Sequence, residues 1–508
     1  MNFINIYFHN NNYFFLNLYK ILIMDLISGF PKNLAYTLKK LENFTKQTVK
    51  VMPDRVKVNL GEVTRFKLPA SAMIDFRTLA IYADATLYGS GNSGVAAGNY
   101  IYHLPRNTAS LIQQLTITCN GVQLCNINDY NLLYNTLYDL EGADSSQITK
   151  RFLENADPSV YYWGKSVNSG GTPIGSVNPQ NGEDANNYET ARPIVINNFL
   201  GFLGSLSTPV LDLNDTGDVY IEIRWATTSV LWATTNTANA NAAQSYTNTT
   251  GCSLDNIRLT CAKINFENSE YYDLKAQKLL TDGLLVGYYD YWTARGTSGA
   301  KSGNFNINFN LNTNSLDQCI ATFQKTDYST IKNIVLNASG GAPANTKNFS
   351  QIMADPITNT TTTNGAIGDA FNQSYYFMRA GADLKTSQWS INSTNIDPYP
   401  LPPSEIWNAN LIALGNNQID FGTSGVHPGC LSLYHFLKYY FCHILSLENL
   451  SGDGQFFRSG LSGNGSTINI NYAAVFDGAQ AGESVQPVIF CRSTKILSIQ
   501  KGHLIAVY

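Results

Sequence analysis

Two stretches of this 508-residue chain, about 190 residues apart, alternate strictly between apolar and polar residues and leave little freedom for its fold. In the first stretch, Leu115, Ile117 and Cys119 interleave with Thr116 and Thr118, and after Asn120-Gly121 the chain resumes as Val122, Gln123 and Leu124. Asn-Gly accepts positive φ at both central positions, so between such runs it predicts a β-hairpin. In the second stretch, Phe305, Ile307, Phe309 and Leu311 interleave with Asn304, Asn306, Asn308 and Asn310. A period of two sends one set of side chains to a buried face and the other to water. Each half also ends its β-rich core alike, at 257–266 and at 495–508. The expectation is an all-β chain of two sandwiches in tandem, with long decorated loops and a few short helices.

Length supports more than one core, because 508 residues exceed what a single hydrophobic core usually serves. Charged residues make up 14% of the chain, below the ~25% typical of soluble domains, and the net charge is only −4. Few charges and a small net charge favour contact with neighbours, so the composition fits a protein packed against copies of itself. General composition bias competes with that reading: Asn, Ile, Tyr, Phe and Lys crowd residues 1–24, as AT-rich codons would dictate. The more ordinary sequence after Met24 makes that methionine a candidate start, leaving 1–23 outside the mature protein. Residues 13–24 are apolar but broken by Asn17 and Lys20, too short to span a bilayer, and followed by no small-residue cleavage site. The expectation is a soluble, non-secreted protein.

Eight cysteines (119, 125, 252, 261, 319, 430, 442 and 491) form no Cys-x-x-Cys pair. Several stand within apolar alternation, where a free cysteine acts as a small hydrophobe, and a reducing compartment fits them. Asn-x-Ser/Thr sequons at Asn248, Asn337, Asn348 and Asn359 are expected to stay unmodified without a secretory signal.

Along the chain, Asn33 can cap a helix whose Leu34, Leu38 and Leu41 share a face, within a locally basic arm from Lys32 to Lys57. Strands are expected at 56–68 and 78–88, then the hairpin. A helix follows in which Tyr130, Leu133, Leu137 and Leu140 recur after a candidate Asp129 cap, with a second at 146–155. Polar loops at 164–190 and 227–251 flank the alternating run Val219, Ile221, Ile223, Trp225. Residues 269–285 cross between the halves. Strands at 284–293 and 304–312, a polar insertion at 337–368, and strands at 432–447, 467–475 and 485–507 make up the second half. Loops this long are usually functional, and their recurrence in both halves points to a shared spatial role.

Chemistry-bearing motifs are weak. Gly89-Ser-Gly91-Asn-Ser-Gly94 matches the dinucleotide fingerprint, but no helix follows it and no acid stands where the ribose needs one, so it reads as a hairpin tip. His427, Cys430, His435, Cys442 and His443 crowd together. On the strand expected at 431–447, however, His435 and His443 would lie about 26 Å apart, too far to share one metal ion. Ser462 lacks the spacing of a nucleophile elbow. Carboxylate pairs assembled from distant strands leave a catalytic sandwich as an open alternative. The basic arm reads either as a solvated face or as a contact with nucleic acid or an acidic membrane, without the aromatic interleaving of a dedicated nucleic-acid groove. No catalytic, cofactor-binding or metal-binding residue is assigned, and no cofactor is expected.

Three passages carry a resemblance: Phe66-Lys-Leu-Pro-Ala-Ser-Ala-Met-Ile-Asp-Phe-Arg-Thr-Leu79; Leu111-Ile-Gln-Gln-Leu-Thr-Ile-Thr-Cys-Asn-Gly-Val-Gln-Leu124 with Asp129-Tyr-Asn-Leu-Leu133; and Leu450-Ser-Gly-Asp-Gly-Gln-Phe-Phe-Arg-Ser-Gly-Leu461. Over residues 50–508 the chain resembles the double jelly-roll major capsid proteins of the adenovirus–tectivirus lineage, most of all those of polinton-like viruses and virophages. The resemblance implies an N-terminal arm at 1–55 and eight-stranded jelly rolls at 56–268 and 269–508, standing upright in an icosahedral shell. It implies a homotrimeric, pseudo-hexameric capsomer, in which three copies of two similar domains give six similar corners. Loops 164–190, 227–251 and 337–368 would form outward towers, and the arm would face the capsid interior or a minor capsid protein. Partners would be further copies and a penton or minor capsid protein, with no small-molecule substrate. The site of action would be the virion, after synthesis and assembly inside the host cell. A carbohydrate- or receptor-binding β-sandwich (a fibre or adhesin) is the alternative, since 30 Tyr, 25 Phe and 6 Trp can line sugar sites. The unpaired cysteines and missing secretory signal stand against it.

Overall fold

The computed structural model describes residues 44–87, 100–141, 190–235, 252–266, 269–326, 375–413, 436–448, 460–478 and 484–500, apart from 71, 106, 282, 438, 439 and 464. It also describes short pieces at 166–167, 173–174, 244–245, 330–331, 333–335 and 503–507. Sixteen strands among these residues carry the architecture. The first half has β1 (Phe44–Val51), β2 (Val63–Lys67), β3 (Met73–Leu87), β4 (Ile112–Cys119), β5 (Val122–Asn128), β6 (Thr190–Ile196), β7 (Val219–Trp225) and β8 (Cys252–Phe266). The second has β9 (Leu284–Arg295), β10 (Asn304–Leu311), β11 (Leu316–Lys325), β12 (Leu384–Ile391), β13 (Thr394–Asn395), β14 (His443–Ser446), β15 (Ile468–Phe476) and β16 (Ser484–Gln500). Helices are α1 (Tyr130–Glu141), α2 (Phe202–Ser205), α3 (Ser269–Thr281) and α4 (Pro403–Ala413).

Strand order runs β1-β8-β3-β6 and β2-β7-β4-β5 in the first half, and β9-β16-β11-β14 and β10-β15-β12-β13 in the second. All neighbours are antiparallel, and each half repeats the other strand for strand. Two four-stranded sheets connected this way form an eight-stranded jelly roll.

The alternation explains the layers. Leu115, Ile117 and Cys119 on β4 are fully buried, as are Ile221, Ile223 and Trp225 on β7. On β10, Phe305, Ile307 and Leu311 point inward while the four asparagines stand in solvent. Asn120 and Gly121 take φ of 48° and 81°, the two left-handed residues that let the β4–β5 turn follow the strand twist. Asn392 and Ser393, at 49° and 65°, do the same between β12 and β13. No asparagine–glycine pair marks that second turn, so the sequence did not announce it.

Several expectations shift. Phe44–Val51, read as part of the arm, pairs along β8 from Phe44 opposite Phe266 to Val51 opposite Leu259. The run 56–68 breaks into Val58–Asn59 and β2 at Gly61, whose φ is 93°. Among the described residues of 432–447 the strand covers His443–Ser446 alone, and Phe436–Leu437 are helical, so the argument from one long strand between His435 and His443 has no basis. Residues 485–507 are two strands, β16 and His503–Val507, folded back on each other. Asp129 does not cap α1: its φ is 51°, and its carboxylate is taken by Arg295 and Gln113. The helices expected near 33–41 and at 146–155, the 89–94 glycines and most of the loops 164–190, 227–251 and 337–368 lie outside the described residues.

Candidate functional site: the seam between the two sandwiches

Among the described residues, a dense long-range polar network joins the edge of one sandwich to the edge of the other. β5 ends the sheet β2-β7-β4-β5 and β9 ends the sheet β9-β16-β11-β14. An edge strand carries unpaired backbone groups that invite wrong partners. Here side chains of β9 occupy those of β5: Tyr288 Oη donates to the Leu124 carbonyl at 2.9 Å, and Thr293 Oγ1 to the Asn128 carbonyl at 2.8 Å. In return, Ser205 and Ser207, which close α2, hold the backbone of β9. Tyr289 N donates to Ser205 Oγ at 2.8 Å, Gly287 N to Ser207 Oγ at 2.9 Å, and Ser207 N to the Gly287 carbonyl at 2.8 Å.

Arg295 locks one end. Its Nε and Nη2 reach the two Asp129 oxygens at 2.8 Å each, and its Nη1 reaches Gln324 Oε1 at 2.9 Å and Gln486 Oε1 at 2.8 Å. A two-pronged guanidinium–carboxylate pair fixes orientation as well as distance. Because Asp129 is held in a left-handed conformation, its carboxylate leaves the helix and faces the second sandwich.

Apolar packing fills the middle. Phe202 meets Phe76 edge-on at 5.9 Å and Tyr288 at 5.1 Å, so three rings from β3, α2 and β9 bridge the halves. A β-carbon on Gly201 would fall 2.7 Å from Cys125 Sγ and 2.8 Å from Ile127 Cδ1, which reserves the position for glycine. The cores of both sandwiches form one continuous apolar cluster through this region.

Helix α3 closes the other side. Lys275 pairs with both Asp212 and Asp215, and all three are largely removed from water. Burial works against the Lys275 ammonium, but the two carboxylates outweigh it and hold it above the ordinary lysine value. Burial pushes the Asp215 carboxyl upward against the pull of Lys275. Elsewhere on β9, Lys495 binds Asp290 at 2.5 Å and lies 4.8 Å over the Trp292 ring.

Sequence reasoning missed these residues. Asp129 and Arg295 are 166 positions apart; Asp129 was read as a helix cap, and Arg295 belongs to no motif. What the arrangement does is mechanical: it fixes two jelly rolls at one relative position with hydrogen bonds on both edges.

A Ser–His–Asp grouping exists but is not arranged for catalysis. Ser387 Oγ lies 2.9 Å from His443 Nδ1, while Asp397 Oδ2 is 3.9 Å from Nε2 and accepts instead from the Trp389 backbone at 2.7 Å. Ser387 and His443 are each 1% exposed, so no substrate reaches them. Burial drives the His443 pKa down to about 3, and the ring is neutral at ordinary pH. The group staples β12 to β14. Cys442 lies beside Asn410 in the same core, and His427, Cys430 and His435 fall outside the described residues. Among the described residues, no three His, Cys, Asp or Glu side chains converge as metal ligands. Burial pushes the thiols of Cys119 and Cys261 up to about 11 and that of Cys252 to about 12, which leaves them unreactive near neutrality.

Short segments of the two halves also pair with each other. Trp232–Thr235 pairs in parallel with Asn333–Val335, and Gln244–Ser245 pairs with Thr330–Ile331. The first-half pieces lie within 227–251, and the second-half pieces, Thr330–Ile331 and Asn333–Val335, precede the insertion 337–368.

No family model and no curated protein matches the chain. Solved structures do. The structure of PBCV-1 VP54 fitted into a reconstruction of the virophage Sputnik is 11% identical, with a TM-score of 0.54 over 92% of this chain and 97% of that one. The quasi-atomic PBCV-1 virus capsid is 11% identical, with a TM-score of 0.51 over 92% and 98%. The Sputnik virophage structure by electron cryo-microscopy is 11% identical, with a TM-score of 0.51 over 92% and 89%. At this identity the likeness is one of fold, and it agrees with the strand order read above: the chain is a double jelly roll.

Proposed function

We propose that this chain is a viral major capsid protein, a structural subunit that tiles an icosahedral shell as homotrimeric, pseudo-hexameric capsomers. One observation carries the reading: two jelly rolls of the same strand order are locked edge to edge into one body. A rigid pair of near-equivalent domains is what a tile with six similar corners requires from three chains. The fold likeness to the PBCV-1 capsid and to Sputnik, over 92% of the chain, supports it. So does the low charge density, since broad flanks with few ions associate at small desolvation cost. Permanent interfaces of this kind bury some 2,000 Å² or more.

In this reading the rolls span 56–268 and 269–508, with Phe44–Val51 joining the first from the arm. The insertions 164–190, 227–251 and 337–368 form the outward towers, and the paired strands at the loop end support a common position for the last two. The basic stretch before residue 56 faces the interior or a minor capsid protein, and a penton protein completes the shell. The protein acts in the virion, after assembly in the host cell, without catalytic chemistry of its own.

Light scattering of the expressed chain tests the proposal. The expected mass is three times the 56.0 kDa chain at micromolar concentration. A monodisperse monomer overturns it.

A further inference from the structure

Three charged side chains, Lys275, Asp212 and Asp215, are shut away from water where α3 meets the first sandwich, with 6%, 6% and 12% of their surface exposed. Lys275 stands in the middle of α3. Asp212 ends the short strand Val210–Asp212, which pairs with β3, and Asp215 stands in the turn that follows. Their arrangement is more specific than an ion pair requires. Asp212 Oδ2 contacts Lys275 Nζ, while Asp212 Oδ1 accepts from the Asn214 backbone N–H at 3.1 Å and from Asn214 Nδ2 at 2.8 Å. One carboxylate oxygen thus faces the amine, and the other is held by two donors. Asp215 Oδ2 lies 2.5 Å from the same Nζ, and no aligned hydrogen bond is made to it.

The surroundings suit proton transfer. Burial pushes the Asp215 carboxyl upward, so it accepts a proton more readily than an exposed aspartate. Nζ lies 5.9 Å from the Tyr272 ring, which meets the buried Tyr271 edge-on at 5.3 Å. The other enclosed pair, Lys495 with Asp290, lacks this set. Asp290 Oδ1 accepts one backbone N–H, from Tyr291, and among the described residues no second carboxylate pairs with Lys495.

We propose that Lys275 and Asp212 condense to an isopeptide bond, with Asp215 as proton carrier and the two Asn214 donors as the oxyanion site. The ion pair is the starting state. One proton passes from the ammonium to Asp212 Oδ2, giving an amine and a carboxylic acid. Burial disfavours both charges and so narrows the gap to this neutral pair. The Nζ lone pair attacks Cγ, and as the Nζ–Cγ bond forms the carbonyl π pair moves onto Oδ1, where the Asn214 donors hold the negative charge. Asp215 takes a proton from Nζ and passes one to Oδ2 as the Cγ–Oδ2 bond breaks. The π bond re-forms, one water leaves, Asp215 is again a carboxylate, and nothing is oxidised or reduced. Amines and acids condense slowly in water, but fixed contact in a site closed to solvent replaces the encounter and its reorganisation. The bond ties the crossover between the sandwiches to a residue 63 positions earlier. It goes beyond the capsid reading and does not depend on it.

Mass spectrometry of the denatured full-length chain tests the bond. The expected loss is one water, about 18 Da, measured against a Lys275→Met chain after allowing for the changed side chain. After trypsin digestion, residues 212 and 275 are expected in one branched peptide uncut at Lys275, in most chains. Separate, unmodified peptides carrying the two residues overturn the proposal and leave an ion pair only. Asp215→Ala is expected to give less than a tenth of the branched peptide with the far-ultraviolet circular dichroism unchanged. Condensation as complete as in the parent chain would overturn the proton-carrier role. The parent chain's own peptides decide the bond whether or not either variant folds. A trimer without the bond overturns this inference alone, and a monomer that carries it overturns the capsid reading alone.

Discussion

Two equivalent sheets in this molecule share a fold and differ in what they show to water. On the outer face of β2-β7-β4-β5 stand Arg65, Lys67, Glu222 and Arg224. Arg65 lies 4.1 Å over the Tyr220 ring, and Lys67 reaches Asp218 at 2.6 Å. On β10-β15-β12-β13, Lys385 is the one charged residue of the four strands. Its outer rows are amides and small groups, with Asn469 Nδ2 donating to Asn308 Oδ1 at 2.6 Å and to Asn310 Oδ1 at 2.7 Å. Inward-facing residues are alike in both: Trp225 and Trp389 are 1% and 0% exposed. The inner rows therefore set strand order, and the outer rows are free to decide how each face meets its surroundings. Charges demand water or a counter-ion, whereas amides that satisfy one another can be covered at lower cost.

The largest expected effect tests the shared half of that comparison. Trp225→Ala and Trp389→Ala should each cost about 3–5 kcal/mol, because a large buried ring leaves a cavity that a close-packed core fills only in part. Calorimetry reads both. If one substitution costs under about 1 kcal/mol, the two cores are not equivalent.

The seam comes next. Arg295→Met removes both prongs on Asp129 and strands a partly buried carboxylate, at a cost of about 2–4 kcal/mol. The expected sign is a single thermal transition splitting into two as the sandwiches lose their coupling. One unchanged transition would show that the apolar ring contacts suffice.

The third effect belongs to the second sandwich. His443 is buried and neutral, with its pKa lowered to about 3 from an unfolded value near 6.5. Above pH 6.5 neither state binds this proton and it has no influence. Between pH 6.5 and about 3 the unfolded chain takes it up and the folded one does not, so stability falls by up to about 1.4 kcal/mol per pH unit. Urea unfolding across that range, with His443→Gln as reference, should show the wild-type slope and a flatter variant.

The smallest effect concerns the outer faces directly. Raising salt screens exposed charges and leaves amide hydrogen bonds alone. Glu222→Gln should therefore make stability less salt-dependent, while Asn306→Gln should leave the salt dependence as it was. Parallel denaturation at low and high ionic strength measures both, and equal responses would erase the distinction drawn between the faces.

The fold was legible where one face of a strand is apolar and the other polar, as in β4, β7 and β10. It was not legible in β1, whose Thr45, Lys46, Gln47 and Thr48 are all exposed and which is held by its ladder to β8. Nor was it in β13, two residues long; β14 was expected as a strand but not its short extent, since His443, Ile444 and Leu445 are buried in succession and no alternation marks its bounds. The seam was the least legible part. Its acid, Asp129, looked like a helix cap because sequence spacing cannot report a left-handed φ. Its base lies in the other domain, and the hydroxyls of Tyr288 and Thr293 have meaning only once β5 is known to be an open edge.

Electron cryo-microscopy of the expressed chain tests the central claim most directly. Two locked jelly rolls acting as a tile predict particles with a hexagonal outline, three chains each, with six barrels around the axis. Single extended chains, with the two sandwiches at variable distances, would contradict it.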